Sequence, residues 1–415
     1  MIAPARDPQM RPETAGSEEA GPLIFLIAGE PSGDLLGARL MAALKTQSSG
    51  RIRFAGVGGP GMTAQGLDSL VPIAELSVMG LLEVLPHLPR ILGHIRRTAE
   101  AARRLRPAAL VTIDSPNFTL EVAKRLAGEA FPKVHYVAPS VWAWKPWRAK
   151  RIARTIDHLL ALLPFEPPYF ERHGLATTFV GHPALEAPRG EDPAAFRRSQ
   201  GIPEDAPVLC VLPGSRRGEI RRLLPIFRET LERLAPGVPG LRALVPSVPS
   251  VADEVAAAAA SWPVPAVVLR APADKYKAFA ASDAALAASG TVAVELAVAG
   301  VPAVIAYRVA PLTAFFARRL IKVRFASLPN LLLDREVQPE FIQENCTPEK
   351  LTAALEQLLG DPHARTAQKQ GAAAAVAKLS SGKEEPSTRA ARRILELIEP
   401  GIASGIASGT PARIG

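Results

Sequence analysis

Short, unbroken apolar runs alternate along this chain with longer segments whose apolar positions recur every three to four residues. The runs predict strands buried on both faces, and the longer period predicts helices laid over them. In a first series, Leu23–Ala28, Arg51–Val57, Ala109–Ile113, Lys133–Val137 and His158–Leu163 read as strands, with helices over Leu35–Lys45 and Pro89–Leu105. The pattern restarts at Val208–Leu212, is followed by a helix over Ile220–Leu234, and continues through Leu241–Val245, Ala266–Leu269, Ala284–Ala287 and Pro302–Tyr307. Pro348–Gly360, His363–Lys378 and Glu385–Ile398 read as closing helices. A strand, a Gly-containing turn and a helix open a doubly wound α/β domain, and this opening occurs twice. The expected organisation is a disordered leader (1–20), a first domain (21–185), a Pro-, Gly- and charge-rich linker (186–206) and a second domain (207–383). A C-terminal helix (384–400) and a low-complexity, disordered tail (401–415) complete it.

Composition supports this and narrows the partners. The 415 residues are enough for two full cores, and 48% hydrophobic with 21% charged is globular. Two cysteines, Cys210 and Cys346, have neither metal spacing nor a disulfide framework, which suits a reducing cytoplasm. No apolar run reaches the length of a membrane span, and Glu18 and Glu19 precede Leu23–Ala28 where a signal peptide needs basic residues. The net charge of +9 implies an anionic partner: nucleic acid, an anionic membrane surface or a phosphorylated substrate.

Candidate chemistry gathers at the turns. In Leu286–Tyr307, the turn Ser289-Gly290-Thr291 opens a helix closed by Gly300, where free N–H groups and the helix dipole favour a phosphate. Glu295 lies one helical turn after Thr291 and can accept hydrogen bonds from ribose hydroxyls; a plain turn with Thr291 as N-cap has the same pattern. Arg216 and Arg217, at the start of the helix after Val208–Leu212, also invite an anion. The first turn, Gly29–Asp34, lacks both the dinucleotide fingerprint and the P-loop lysine. Its Glu30 and Asp34 would repel a phosphate, so it reads as a sugar or hydroxyl contact, with Ser32 on the acceptor side. Asp114 ends a strand where open α/β sheets bind ligands and is the candidate general base; a helix-capping Asp is the alternative.

Three of four tryptophans, Trp142, Trp144 and Trp147, fall beside Arg148, Lys150 and Arg151. Trp142 and Trp144 suit sugar rings, and the cations suit a phosphate; the patch is too short for a single-stranded nucleic-acid groove. Ser77–Leu88 is either ordinary core or an apolar lip receiving lipid chains through Met79, Leu81, Leu82 and Val84. The basic helix over 89–105 and the amphipathic Pro311–Arg324 read as solvated faces or as membrane-surface helices. Ser327–Leu332 reads as a constrained loop from which Asn330 could meet a base edge.

Together these stretches resemble the lipid-A-disaccharide synthase family. The matching pieces are IAGEPSGDLLG, GVGGPGM, VMGLLEVL, TIDSPNFTLE, VHYVAPSVWAWK, LLPFE, FVGHP, LPGSRRGEI, AASGTVAVELAVAGVPAV and SLPNLLL, in one order from residue 27 to 333. The resemblance implies a GT-B-like fold, with two Rossmann-like domains facing a central cleft. It implies an inverting hexosyltransferase that joins UDP-2,3-diacylglucosamine to 2,3-diacylglucosamine 1-phosphate through a β(1→6) bond and releases UDP. It further implies no metal and no cofactor, no nucleic acid, and a peripheral position on the anionic cytoplasmic face of the inner membrane; a homodimer stays open. Asp114 matches the family's base and Glu30 its first-turn acid. Arg216, Ser289, Gly290, Thr291, Glu295 and Asn330 fall in motifs expected to hold UDP. Asn117 stands where the family more often has Asp, and losing that second carboxylate leaves Asp114 the more acidic. Two competing readings are a UDP-sugar 2-epimerase on the same scaffold and a non-catalytic nucleic-acid- or membrane-binding protein.

Overall fold

The structure is a computed structural model that describes residues 21–76, 88–310, 314 and 323–398. The expectations for the leader, the tail, the lip residues Met79, Leu81, Leu82 and Val84, and nearly all of 311–324 lie outside these residues.

Two parallel six-stranded sheets carry the fold. The first contains β1 (Leu23–Ala28), β2 (Arg53–Val57), β3 (Ala109–Ile113), β4 (Lys133–Tyr136), β5 (His158–Ala161) and β6 (Ala176–Phe179), in the order β2-β1-β3-β4-β5-β6. The second contains β7 (Val208–Leu212), β8 (Arg242–Pro246), β9 (Ala266–Leu269), β10 (Ala284–Ala288), β11 (Ala303–Tyr307) and β12 (Glu340–Ile342), in the order β12-β11-β10-β7-β8-β9. The ten runs read as strands are ten of these, within a residue or two at their ends, and the edge strands β6 and β12 were not anticipated. Strands β3, β7 and β10 are buried at every position, as expected for parallel strands covered on both faces.

Strand order reverses once in each sheet, between β1 and β3 in the first and between β7 and β10 in the second. A crevice forms at such a switch point because the two following connections leave towards opposite faces. The turns after β1, β3, β7 and β10 therefore converge in pairs, and these are the four turns that carry most of the candidate chemistry.

Local signals set the helix limits. The first helix begins at Pro31, a residue suited to that position, and runs to Gln47. Gly29–Asp34 is thus a shorter turn than expected, and Asp34 already lies inside the helix. The helix after β10 runs Thr291–Ala299 and is capped by Gly290 rather than Thr291; Gly300 closes it in the left-handed conformation (φ 70°). Ser327–Leu332 is not a loop, since Leu328–Leu333 forms a short helix.

The chain crosses between the domains twice. The expected linker contains a helix, Pro193–Ser199, whose Phe196 packs with Val208, Leu244 and Ala278 of the second domain. The last helix, Pro386–Ile398, returns to the first domain, where Ala390, Ala391, Ile394 and Leu395 pack with Leu40, Met41 and Leu44. Hydrogen bonds tie the crossings together: Ser381 Oγ donates to the Val180 carbonyl (2.7 Å) and His182 N–H to the Leu379 carbonyl (3.1 Å).

Candidate active site

Gly29 and Glu30 follow β1, and Asp114 and Ser115 follow β3. The two turns touch: a Cβ on Gly29 would lie 2.6 Å from Ser115 Oγ, so only glycine fits there. Asp114 and Ser115 both adopt the left-handed conformation (φ 47° and 44°), which is costly for such residues and typical of functional turns. Thr119 Oγ1 holds the turn by donating to the carbonyls of Asp114 (2.6 Å) and Ser115 (3.1 Å).

Burial raises the Asp114 carboxyl above the ordinary aspartate range, opposed by a backbone hydrogen bond at Ser115. Glu30 is also raised, first by burial and then by the charge of Asp114; Arg216 and a hydrogen bond with Ser115 oppose this. Arg216 belongs to the second domain, so its charge reaches Glu30 across the cleft. Glu30 is the carboxylate that feels the charge of Asp114, while Asp114 itself is raised by burial. Asn117 itself is exposed, and Asp114 is less acidic than an ordinary aspartate.

Asp34 is not a ligand group in this arrangement. Its buried carboxylate accepts N–H bonds from Gly59 (2.8 Å), Gly61 (2.8 Å) and Met62 (2.9 Å), clamping the loop after β2 to the first helix. Ser32 is exposed in the first turn of that helix.

In the second domain, Arg216 caps the helix Arg217–Leu234. Its exposed guanidinium meets Glu219 at 3.2 Å, and Glu219 also accepts the Ser215 N–H at 3.3 Å. The Tyr307 hydroxyl, at the end of β11, is raised by burial and by Glu219, while Arg216 and Arg222 lower it. Tyr307 therefore shares the electrostatic surroundings of the Arg216 turn. Gly290 and Thr291 are exposed, and nothing lies within 4 Å of a Cβ placed on Gly290, leaving open space over that helix N-terminus. Ser289 Oγ lies 3.5 Å from the Ala326 carbonyl. Glu295 is engaged by Lys275 Nζ (2.5 Å) and the Tyr276 hydroxyl (3.1 Å).

Asn330 departs from expectation. It is fully buried: Oδ1 accepts N–H bonds from Val337 (2.7 Å) and Gln338 (2.9 Å), and Nδ2 donates to the Gln338 carbonyl (2.8 Å). Nothing is left to read a base. Its neighbours continue the brace, with Ser327 Oγ on Gln338 Oε1 (2.7 Å) and Gln338 Nε2 on the Ala293 carbonyl (3.2 Å). The segment thereby fastens onto the helix that follows Ser289–Thr291.

The tryptophans separate. Trp142 packs edge-on against Phe165 at 5.2 Å and donates its indole N–H to Glu166 (3.2 Å), in a cluster that includes Leu163 of one domain and Val294 and Leu332 of the other. It joins the domains and is not the open sugar platform expected. Trp144 is 39% exposed with the Lys145 ammonium 4.3 Å from its ring centroid, and Trp147 is 62% exposed.

Glu166 also accepts N–H bonds from Leu162 (3.1 Å) and Leu163 (3.0 Å), and burial pushes its carboxyl up to about 7. Because this lies above the unfolded value near 4.5, the folded state keeps an extra proton between the two. That contribution to stability is full below this window and is lost as pH rises through it. Relative to Glu166→Gln, wild-type stability is expected to fall by on the order of 3 kcal/mol from pH ~4.5 to ~7. Urea unfolding of both proteins across that range checks it, and a pH-independent difference contradicts it.

Sequence reasoning missed Glu219, Tyr307, Lys275 and Tyr276. Glu219 sits in the LPGSRRGEI stretch and Tyr307 at a strand end, so both carried a positional signal. Lys275 and Tyr276 had none, because they reach Glu295 from another helix. Among the described residues, no group of three or more His, Cys, Asp and Glu side chains is placed to hold a metal ion, and no helix is long and apolar enough to cross a membrane.

Two doubly wound domains, each with a crevice at its switch point, are the architecture of the GT-B fold. Similarity to solved structures agrees on the fold. A putative UDP-N-acetylglucosamine 2-epimerase from Listeria monocytogenes matches with a TM-score of 0.62 at 13% identity, over 91% of this chain and 96% of that one. A glycosyltransferase from Rickettsia africae matches with a TM-score of 0.56 at 10% identity, over 94% and 100%. Sequence comparison is more specific: the lipid-A-disaccharide synthetase family model matches residues 24–394. The lipid-A-disaccharide synthase of Rhodospirillum centenum is 53% identical over 394 residues, covering 94% of this chain and 98% of that protein. That of Paramagnetospirillum magneticum is 52% identical over 385 residues, covering 91% and 98%. This chain belongs to the lipid-A-disaccharide synthase family of glycosyltransferases.

Proposed function

We propose that this protein transfers 2,3-diacylglucosamine from UDP-2,3-diacylglucosamine to the 6-hydroxyl of 2,3-diacylglucosamine 1-phosphate. The products are the β(1→6) disaccharide 1-phosphate and UDP. The observation that carries this reading, beyond family membership, is that Glu30, which feels the charge of Asp114 in its own domain, also feels that of Arg216 in the other.

Asp114 takes the proton of the acceptor 6-hydroxyl as that oxygen attacks the donor anomeric carbon. The new C–O bond forms on the face opposite the leaving UDP, which departs with the electron pair, so the anomeric centre inverts. Burial suits Asp114 to this role, since it raises the carboxyl and a raised pKa makes a stronger base. Glu30 helps to hold the acceptor. The diphosphate lies against the Ser289–Thr291 helix start, Arg216 offsets its growing charge, and Glu295 takes the ribose hydroxyls.

The acyl chains and the membrane lie on the first domain's side. Helix Leu88–Leu105 supports this placement: Leu88 and Leu92 are each 46% exposed, one turn apart, beside exposed Arg90, Arg96 and Arg97. Trp144 and Trp147 of the same domain are also exposed on its surface. It suits a peripheral position on the anionic cytoplasmic face of the inner membrane.

The test is UDP release from UDP-2,3-diacylglucosamine in detergent micelles, with and without 2,3-diacylglucosamine 1-phosphate, in the presence of a chelator. Acceptor-dependent release is expected, with the chelator making no difference. Release without acceptor would mean hydrolysis, and turnover of UDP-N-acetylglucosamine alone would favour an epimerase.

A further inference from the structure

Glu295 is a candidate donor-site side chain anchored from outside its own helix. Lys275 and Tyr276 lie on the helix Asp274–Ala280, and each bonds a different carboxylate oxygen, Lys275 Nζ to Oε2 and the Tyr276 hydroxyl to Oε1. The contact is sheltered, with the Glu295 side chain 15% and the Lys275 side chain 30% exposed. Lys275 is itself held, its ammonium 5.4 Å from the Tyr276 ring centroid and 5.8 Å from that of Phe279. Those rings pack edge to face at 5.7 Å, and Phe279 is fully buried. Burial and the charge of Glu295 push the Tyr276 hydroxyl up, so it stays a donor.

This arrangement fixes the carboxylate without exhausting it. A carboxylate has about four acceptor positions and these two partners take one on each oxygen, leaving one on each for a pair of vicinal hydroxyls. Without the anchors, Glu295 would have to be ordered by the ligand itself, at the cost of its rotamer freedom.

We propose that Lys275 and Tyr276 are positioning residues that pre-set Glu295 to read the ribose 2′- and 3′-hydroxyls of a nucleoside diphosphate sugar. This rests on the donor-site reading above. The alternative role, a tie between two helices, predicts a different ligand dependence.

Binding of UDP and of 2′,3′-dideoxy-UDP by wild type, Lys275→Met, Tyr276→Phe and Lys275→Arg separates the two. Wild type is expected to prefer UDP. Lys275→Met and Tyr276→Phe are expected to lose about tenfold of that preference while binding dideoxy-UDP within about twofold of wild type. Lys275→Arg is expected to retain most of it. Equal losses for both ligands, or an unchanged preference, would overturn the positioning role while leaving the donor site standing. A wild type that binds UDP without preferring it would remove the ribose role of Glu295, and no UDP binding at all would remove the donor site; the inference falls with either.

Discussion

Asp114→Asn is expected to lower acceptor-dependent UDP release by about two to four orders of magnitude while leaving UDP affinity within about twofold. The two effects separate because they belong to different domains: the proton acceptor stands after β3, and the donor diphosphate is assigned to the turns after β7 and β10. The substitution keeps the side chain's size in a crowded, left-handed turn, so the loss reports on the proton and not on the backbone. In the wild type, the raised Asp114 carboxyl moves the acid limb of the rate profile above the ordinary aspartate range. Glu30→Gln is the comparison. If it loses turnover by orders of magnitude while Asp114→Asn stays near wild type, the base is Glu30. The kcat of each variant and the UDP affinity by calorimetry are the measurements.

Asn330→Ala is expected to cost about 3–5 kcal/mol of stability, the second large effect. The truncation removes the partner of two backbone N–H groups and one carbonyl, and the Gln338 amide beside them is already engaged by Ser327 and Ala293. The loss should appear as an early transition of the second domain in urea, since this domain carries the segment and two-domain unfolding need not be a single step. Folded protein should retain UDP binding, weakened only as far as the helix after Ser289 is loosened. A variant as stable as wild type that has lost UDP affinity would restore Asn330 to the nucleotide site.

The two cases mark where sequence reading works. The place of Asp114 was legible because a charged residue that ends a buried run sits at the edge of a parallel sheet, the edge where such sheets bind ligands. The place of Ser289–Thr291, between a strand and its helix, was legible for the same reason. Asn330 was misjudged because an amide offers the same donor and acceptor to a ligand as to a neighbouring backbone, and its own motif does not say which it meets. Asp34 was misjudged likewise: its partners, Gly59 to Met62, belong to the loop after the next strand. Trp142 and Trp144 stand two positions apart in one motif, yet one turns into the seam between the domains and the other to solvent.

The sequence by itself determined ten of the twelve strands, most of the helices and the twofold recurrence of a doubly wound domain. Those features follow from local burial: a strand covered on both faces is mostly apolar, and a helix covered on one face must repeat every three to four residues. Only the tertiary structure decided which turns meet, that Arg216 faces Glu30, that the last helix returns to the first domain, and that Lys275 and Tyr276 hold Glu295. Those relations are set by strand order and by the two crossings between domains. A side chain's partner across such a distance leaves no trace in its neighbours along the chain.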